Sequence, residues 1–350
     1  MTGRRFRCGL ALLLLLVAVG GPTWALEGRE LPHAPRLHGT FRNLDPDFWS
    51  ASNWTRIRFY LLGAATMLKA DHAFAPLASA APDVAALRRN RQASTVTWIG
   101  HSTVLVQLDG VNILTDPAWS VRVGPWSGSV GVRRFTPPGI AFDDLPPIDL
   151  VLISHDHYDH LDEPTVRRLA RAFNPRFVVP LGIKAWLVDR GITNVSELDW
   201  SESITVRGLK IVCAPAQHGS GRALLDHGQR LWASWVVVGS KRLYFGGDSG
   251  YASHFAVIGD AFGPFDLAAL PIGSYTPREL ARPVHMSPEE ALRASLDLRS
   301  SKLIGIHWGT YELAREAYDE PPRRIAAEVA RLALDPSSIL LPKPGETLGW

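Results

Sequence analysis

The sequence predicts an α/β (α+β) domain in which two mixed β-sheets pack together with helices on the outside. Three observations lead there. Strand-like runs gather in two blocks, a helical pattern follows each block, and several runs are apolar throughout, as strands covered on both faces are. The chain shows no internal repeat and no long linker, so the two blocks read as one domain.

The first block opens at Ser94. "STVTWIG", "TVLVQLDG" and "VNILTDP" are short β-rich runs separated by Gly or Asp turns, as in a meander. "IDLVLISH" is continuous and apolar and ends in a His-rich loop. "EPTVRRLARAF" follows as a helix with Pro164 in its first turn, then the strand "RFVVPLG" and the helix "IKAWLVDRG", stopped by Gly191. The second block holds "ESITVRGLKIVCAPA", "WASWVVVGS", "KRLYFGGDSG" and "FDLAALPIG". A helix at "SPEEALRASLDL" carries Ser287 as N-cap and Glu290 at the capping-box position. "SKLIGIHWG" is the last clear buried strand, and "PPRRIAAEVARLAL" the last helix.

The N-terminus divides into three parts. Residues 1–25 read as a secretory signal peptide: Arg4, Arg5 and Arg7, then an apolar run from Leu10 to Val19, then the small-x-small site Thr23-Trp24-Ala25. That run is short for a membrane span, an uncleaved anchor being the alternative. The expectation is an exported protein, periplasmic or membrane-associated. Residues 26–93 form an irregular extension with one helix expected near Asn53–Leu68, whose apolar residues either contact lipid or pack on the main domain. Residues 94–350 form the catalytic domain.

Removing residues 1–25 takes away three Arg and leaves 34 basic against 34 acidic residues, so the apparent basicity belongs to the leader. A neutral mature chain is not a nucleic-acid binder by charge. Only Cys213 survives that cleavage, so no intrachain disulfide staples the mature protein.

The chemistry gathers at strand exits. "SHDHYDHL" packs three histidines and two aspartates into eight positions, a density that repels or titrates unless something positive sits between the side chains. His155, His157, Asp159 and His160 follow one apolar run; His218 follows "IVCAPAQ", Asp248 follows "LYFGG" and His307 follows "LIGI". Imidazole and carboxylate together suit Zn²⁺, with Fe or Mn as alternatives. Two metals need a bridging carboxylate, for which Asp248 is the unpaired candidate.

These residues carry a resemblance. "HDHYDH", a later lone His, a "GD" and a final His resemble the metallo-β-lactamase fold superfamily, an αββα sandwich with a dinuclear site. Longer strings are similar to the N-acylphosphatidylethanolamine-hydrolysing phospholipase D family: "TWIGHSTVLV", "LTDP", "LPPIDLVLISHDHYDHLD", "LDW", "GGDSGY", "FGPFDLAALPIGSY", "SPEEA" and "IHWGTYELA". The similarity spans about residues 94–345, and "FRN" in the extension is similar in character. The resemblance implies two zinc ions, one on His155, His157 and His218 and the other on Asp159, His160 and His307, with Asp248 bridging. It also implies hydrolysis rather than oxygen chemistry, because redox di-iron relatives carry a carboxylate where His157 stands. The implied reaction releases N-acylethanolamine and phosphatidic acid through a metal-bridging hydroxide, with a phospholipid at a membrane surface as partner. Oligomeric state is left open, a homodimer being compatible.

Asp159 is expected to orient the attacking water as well as bind metal. His285, in "ARPVHMSPEEA", is the non-ligand catalytic candidate, for substrate phosphate or for the leaving group, the alternative being a helix-flanking His. Asp116 either fixes a ligand imidazole or caps its turn. His101 reads as a supporting or structural residue, and Tyr158, Trp308 and Tyr311 as loop or cleft packing. Apolar insertion into lipid is expected from the N-terminal segment or from the aromatic residues of the Trp119–Trp126 loop. A lactone, thioester or other small ester is the competing substrate class, and a noncatalytic zinc-binding protein the competing non-enzyme reading.

Overall fold

The computed structural model describes residues 31–45, 54, 75–223 and 225–350. The proposed signal peptide and, but for Trp54, the Asn53–Leu68 helix lie outside these residues.

Two seven-stranded mixed sheets form the centre. The first contains β1 (Thr95–Gly100), β2 (Thr103–Leu108), β3 (Val111–Thr115), β4 (Leu150–Leu152), β5 (Arg176–Pro180) and β6 (Val195–Leu198). The second contains β7 (Ser203–Val206), β8 (Leu209–Ala214), β9 (Ser234–Val238), β10 (Arg242–Phe245), β11 (Leu267–Pro271), β12 (Leu303–Ile306) and β13 (Ile339–Leu340), while β14 (Thr347–Gly349) returns to the first sheet beside β1. The meander β1–β3 is antiparallel, and β3, β4, β5 and β6 then run parallel, each joined to its neighbour in register.

Alternation along the strands explains why two sheets pack rather than one. Val96, Trp98, Val104, Val106, Ile113 and Leu152 of the first sheet meet Ile211, Trp235, Val237, Phe245 and Ile304 of the second in one buried layer. The intervening residues face outward. Leu105, Leu114, Val151 and Val179 pack under helices α1 (Glu163–Phe173) and α2 (Ile183–Val188). Val212, Val236, Tyr244, Ala268 and Leu270 pack under α3 (His254–Phe262) and α4 (Pro288–Asp297), with Ile325 of α5 (Glu320–Arg331) in the same cluster. A period of two that is apolar on both phases therefore yields an αββα sandwich with three hydrophobic layers. Trp98, Trp200 and Trp235 are fully buried, and their indole N–H groups donate to the carbonyls of His101, Trp232 and Ile153.

The structure adds detail that the sequence patterns left out. The run "ESITVRGLKIVCAPA" is two antiparallel strands, β7 and β8, that reverse at Arg207–Gly208, both with left-handed φ. Strands β6, β13 and β14 and helix α3 were not predicted: the three strands span only four, two and three residues, too short for a period to show. The expected capping box at Ser287 and Glu290 is present. Of the two tryptophans in the Trp119–Trp126 loop, Trp119 does not stand free to face lipid: its indole N–H donates to the Ile140 carbonyl at 3.0 Å and its ring lies edge-on to Phe142.

Candidate metal centre

The parallel pairing of β3 with β4 brings two strand exits side by side, with Asp116 leaving one and Ser154 the other. Asp116 accepts hydrogen bonds from the Ser154 N–H at 2.7 Å, from Ser154 Oγ at 2.6 Å and from His160 Nδ1 at 2.6 Å. Burial raises the pKa of this carboxyl, while His160 and Ser154 pull it back. The 154–160 loop is thus pinned at both ends by one buried carboxylate. From the second sheet, Ala233 N–H donates to the Ser154 carbonyl at 2.8 Å. Gly247, with φ +56°, packs so close that a Cβ there would sit 2.4 Å from Ser154 Cβ, so only glycine lets Asp248 reach the loop.

The predicted ligands converge as two groups. In the first, His155 Nε2 lies 2.8 Å from His157 Nδ1, and His218 Nε2 lies 3.2 Å from the same atom. In the second, Asp159 Oδ2 is 3.3 Å from His160 Nε2 and 3.5 Å from His307 Nε2. Asp248 Oδ2 stands between them, at 3.2 Å from His160 Nε2, 3.0 Å from His307 Nε2, 3.9 Å from His155 Nε2 and 3.8 Å from His218 Nε2. Residues from four separate stretches, each leaving a buried strand, therefore meet around one carboxylate oxygen.

The hydrogen bonds around the rings fix which nitrogen is free. Ser154 Oγ gives its single proton to Asp116, so it must accept from His155 Nδ1 at 2.9 Å. His218 Nδ1 faces the Val284 carbonyl at 3.0 Å, and His160 Nδ1 faces Asp116. All three rings donate outward through Nδ1 and aim Nε2 lone pairs inward. Lone pairs gathered this closely repel unless a cation lies among them. His160 Nε2, His307 Nε2 and Asp248 Oδ1 are buried without a hydrogen-bond partner. The donor set fits divalent metal ions at both groups.

Electrostatics separate the two groups. Burial, reinforced by the neighbouring imidazoles, holds the pKa of His155 and His218 well below the usual value for histidine. Burial also works against charge on His160 and His307, but Asp248 and Asp159 outweigh it. His160, with Asp116 added, sits well above the usual value, and His307 is pushed up to about 9. Asp159 and Asp248 are held well below the carboxylate range by their His partners, against the opposing effect of burial. Without metal, His160 and His307 are therefore protonated at neutral pH, and metal must displace those protons. Loading the metal-free protein at pH 7.5 is expected to release about two protons per chain. Their pKa values are raised, so proton competition grows as pH falls, and the Asp159–His160–His307 group should lose metal first on acidification. Titration calorimetry in buffers of differing ionisation enthalpy checks this; heats independent of the buffer would contradict it.

The other predicted residues fall around this centre. His285 Nδ1 lies 3.9 Å from Asp248 Oδ2, and its ring centroid is 5.3 Å from those of His218 and His307. His101 Nε2 is 2.9 Å from Asp159 Oδ2. Tyr158 OH donates to the Arg222 carbonyl, and Tyr311 OH accepts from Arg134 at 2.8 Å. Trp308 stacks on Trp98 at 5.0 Å.

Two supporting residues escaped sequence reasoning. Asn43, in the extension, clamps His218: its Nδ2 donates to the His218 carbonyl at 2.8 Å and its Oδ1 accepts the His218 N–H at 3.1 Å. The "FRN" string was its only signal. Asp156, within the His-rich loop, is buried and accepts from Gly221 N–H at 2.7 Å and Arg230 at 2.9 Å, tying down the loop that follows His218. Its position amid ligands hid this anchoring role.

Comparison with known proteins agrees with the geometry. A family model described as "Beta-lactamase superfamily domain" matches residues 111–308. The chain belongs to the β-lactamase superfamily. An N-acyl-phosphatidylethanolamine-hydrolyzing phospholipase D 1 of Caenorhabditis elegans is 42% identical over 265 residues, covering 71% of this superfamily member and 74% of the relative. An uncharacterized protein of Mycobacterium tuberculosis is also 42% identical, over 88% of this chain and 82% of its own. Among solved structures, a metallo hydrolase of Ignicoccus hospitalis superposes with a TM-score of 0.56 at 24% identity, covering 74% of this chain and all but 1% of that one (99%). This member of the β-lactamase superfamily is a metal-dependent hydrolase.

Proposed function

We propose that the chain is a zinc-dependent phosphodiesterase of phospholipase D type that converts N-acylphosphatidylethanolamine to N-acylethanolamine and phosphatidic acid. The observation that carries this reading is the single oxygen Asp248 Oδ2 shared by two ligand groups, which is the arrangement a two-metal phosphodiesterase needs. The name of the Caenorhabditis elegans relative supplies the substrate class. Zinc is favoured by five imidazoles and two carboxylates as donors.

Bound in these two groups, the metal ions would activate water and neutralise charge on the phosphoryl oxygens. The chain's own residues supply orientation. Asp159, with Oδ2 at the edge of the centre, orients the incoming water. His285, with Nδ1 3.9 Å from Asp248 Oδ2, would hydrogen-bond the phosphoryl group and, as the P–O bond breaks, give its ring N–H proton to the ethanolamine oxygen while its other nitrogen takes one from water. Its pKa is lowered to about 4, chiefly by burial, so at neutral pH it carries one proton and relays it rather than storing an extra one. Replacing it by Ala is expected to slow turnover about 10²-fold with metal content unchanged.

The lipid would arrive over the hairpin at residues 120–134. Val121, Trp126 and Val130 are exposed there, while Val123 and Val132 pack beside Tyr311 and Tyr158 at the centre's rim. The leader-like residues 1–25 suggest that this encounter happens outside the cytoplasm.

The test is product identification. Zinc-loaded protein is incubated with N-acylphosphatidylethanolamine vesicles, with ordinary phosphatidylethanolamine and with an acyl lactone. The proposal requires N-acylethanolamine and phosphatidic acid from the first. Turnover of the lactone alone would assign the site to small esters. A Trp126→Asp variant should lose activity on vesicles while keeping it on a soluble short-chain analogue; equal rates on vesicles would discard the hairpin.

A further inference from the structure

His101 stands within ligand distance of the second group but is bonded differently from its members. His101, Asp159, His160 and His307 each bring a ligand atom within 4.8 Å of the others, so by proximity all four could bind one ion. The hydrogen bonds divide them. Asp159 is a carboxylate and only accepts, so the His101 Nε2 that faces Oδ2 at 2.9 Å must carry the proton. Its lone pair on Nδ1 points away and is buried without a partner. His160 turns the opposite way, with Nδ1 on Asp116 and Nε2 free.

The backbone holds His101 in that pose. Its φ of +54° places it in the left-handed region at the β1–β2 turn. The N–H donates to Thr310 Oγ1 at 2.7 Å, and the carbonyl accepts from Trp98 Nε1 at 2.9 Å and from the His307 N–H at 3.1 Å. The ring centroid lies 4.2 Å from that of His307 and 5.1 Å from that of Tyr311. One turn thus fixes the backbone of a ligand, His307, and the side chain of another, Asp159.

We propose that His101 is a positioning residue, not a ligand: its Nε2–H pins Asp159 Oδ2, leaving the other lone pair of that oxygen for the metal held with His160 and His307. The inference rests on the dinuclear reading above. Without this donor, Asp159 rotates freely about its side-chain bonds, and the second ion is held more weakly while the first, on His155, His157 and His218, is untouched.

The experiment compares His101→Leu with His101→Gln, since Gln Nε2 can donate from nearly the same place. Zinc retention is measured per chain against chelators of graded strength, alongside the visible spectrum of the cobalt-loaded protein. The expected result is one tight ion and one ion weakened about 10–100-fold in His101→Leu, with His101→Gln close to the unmodified chain. Equal retention of two ions in His101→Leu overturns the proposal. So does loss of the second ion in a folded His101→Gln, which would make the imidazole itself a ligand. Should His101→Leu fail to fold, the Gln variant alone decides on the same criterion. Failure of the dinuclear reading looks different: the unmodified chain would then hold fewer than two ions.

Discussion

Asp248→Ala should remove hydrolysis almost entirely, by at least about 10³-fold in kcat/KM, and should weaken both metals together. The carboxylate oxygen lies within 3.9 Å of four ligand imidazoles, two from each group, so its loss touches both. Its removal also takes from His160 and His307 the largest of the charges that oppose burial. Contrast comes from His157→Ala, which removes a ligand from one group only. Metal analysis of the two variants should give a different pattern: both ions weakened in the first, one ion lost in the second. Similar patterns would mean that Asp248 is not shared.

Asp116→Ala should produce the largest loss of stability. Three donors converge on this fully buried carboxylate, one of them the Nδ1–H of His160. Breaking such a network leaves its partners buried and unsatisfied, a cost of about 3–5 kcal/mol. Chemical denaturation of the metal-free protein measures it. Asp116→Asn separates packing from orientation. An amide can still accept from Ser154, but its NH₂ would confront His160 Nδ1–H, so the ring must change tautomer and aim a proton at the metal. Asn should therefore preserve most stability yet cut zinc affinity about 10–100-fold. Full zinc affinity in Asp116→Asn would show that His160 does not depend on this bond.

Much of this centre could be read from the chain because its residues sit where buried strands end. "LVLIS", "IVCAPAQ", "LYFGG" and "LIGI" are apolar runs whose ends are marked by a sharp change to His, Asp or Gly. Such breaks place ligands even before the sheets are known. Supporting contacts are harder to see, because they join residues with no shared local signal. Asn43 and His218 are 175 positions apart, and a lone Asn in an irregular stretch looks like any turn residue. Asp156 is masked by its neighbours, since a third carboxylate among ligands invites the wrong role. His101 showed only as a His at a strand turn, and the direction of its proton depends on Asp159, 58 residues on. Helix α3 gives no local signal because it begins three residues after the "GGDSG" turn, and its first residues, His254 and Phe255, continue no visible strand or helix period.

The two tryptophans of the Trp119–Trp126 loop, expected to insert into lipid, divide in the same way. Trp126 is exposed and Trp119 is not, although both sit in one loop of similar composition. Trp119 is claimed by the Ile140 carbonyl, 21 positions on, and by Phe142, and neither gives a hint in the local sequence.

The central claim is that seven side chains from four strand exits hold two metal ions around a shared carboxylate. A crystal structure of zinc-loaded protein with anomalous data at the zinc edge tests it most directly. Two peaks are expected, one among His155, His157 and His218, the other among Asp159, His160 and His307, each in contact with Asp248. A single peak, or two peaks with Asp248 bound to only one, would contradict the account.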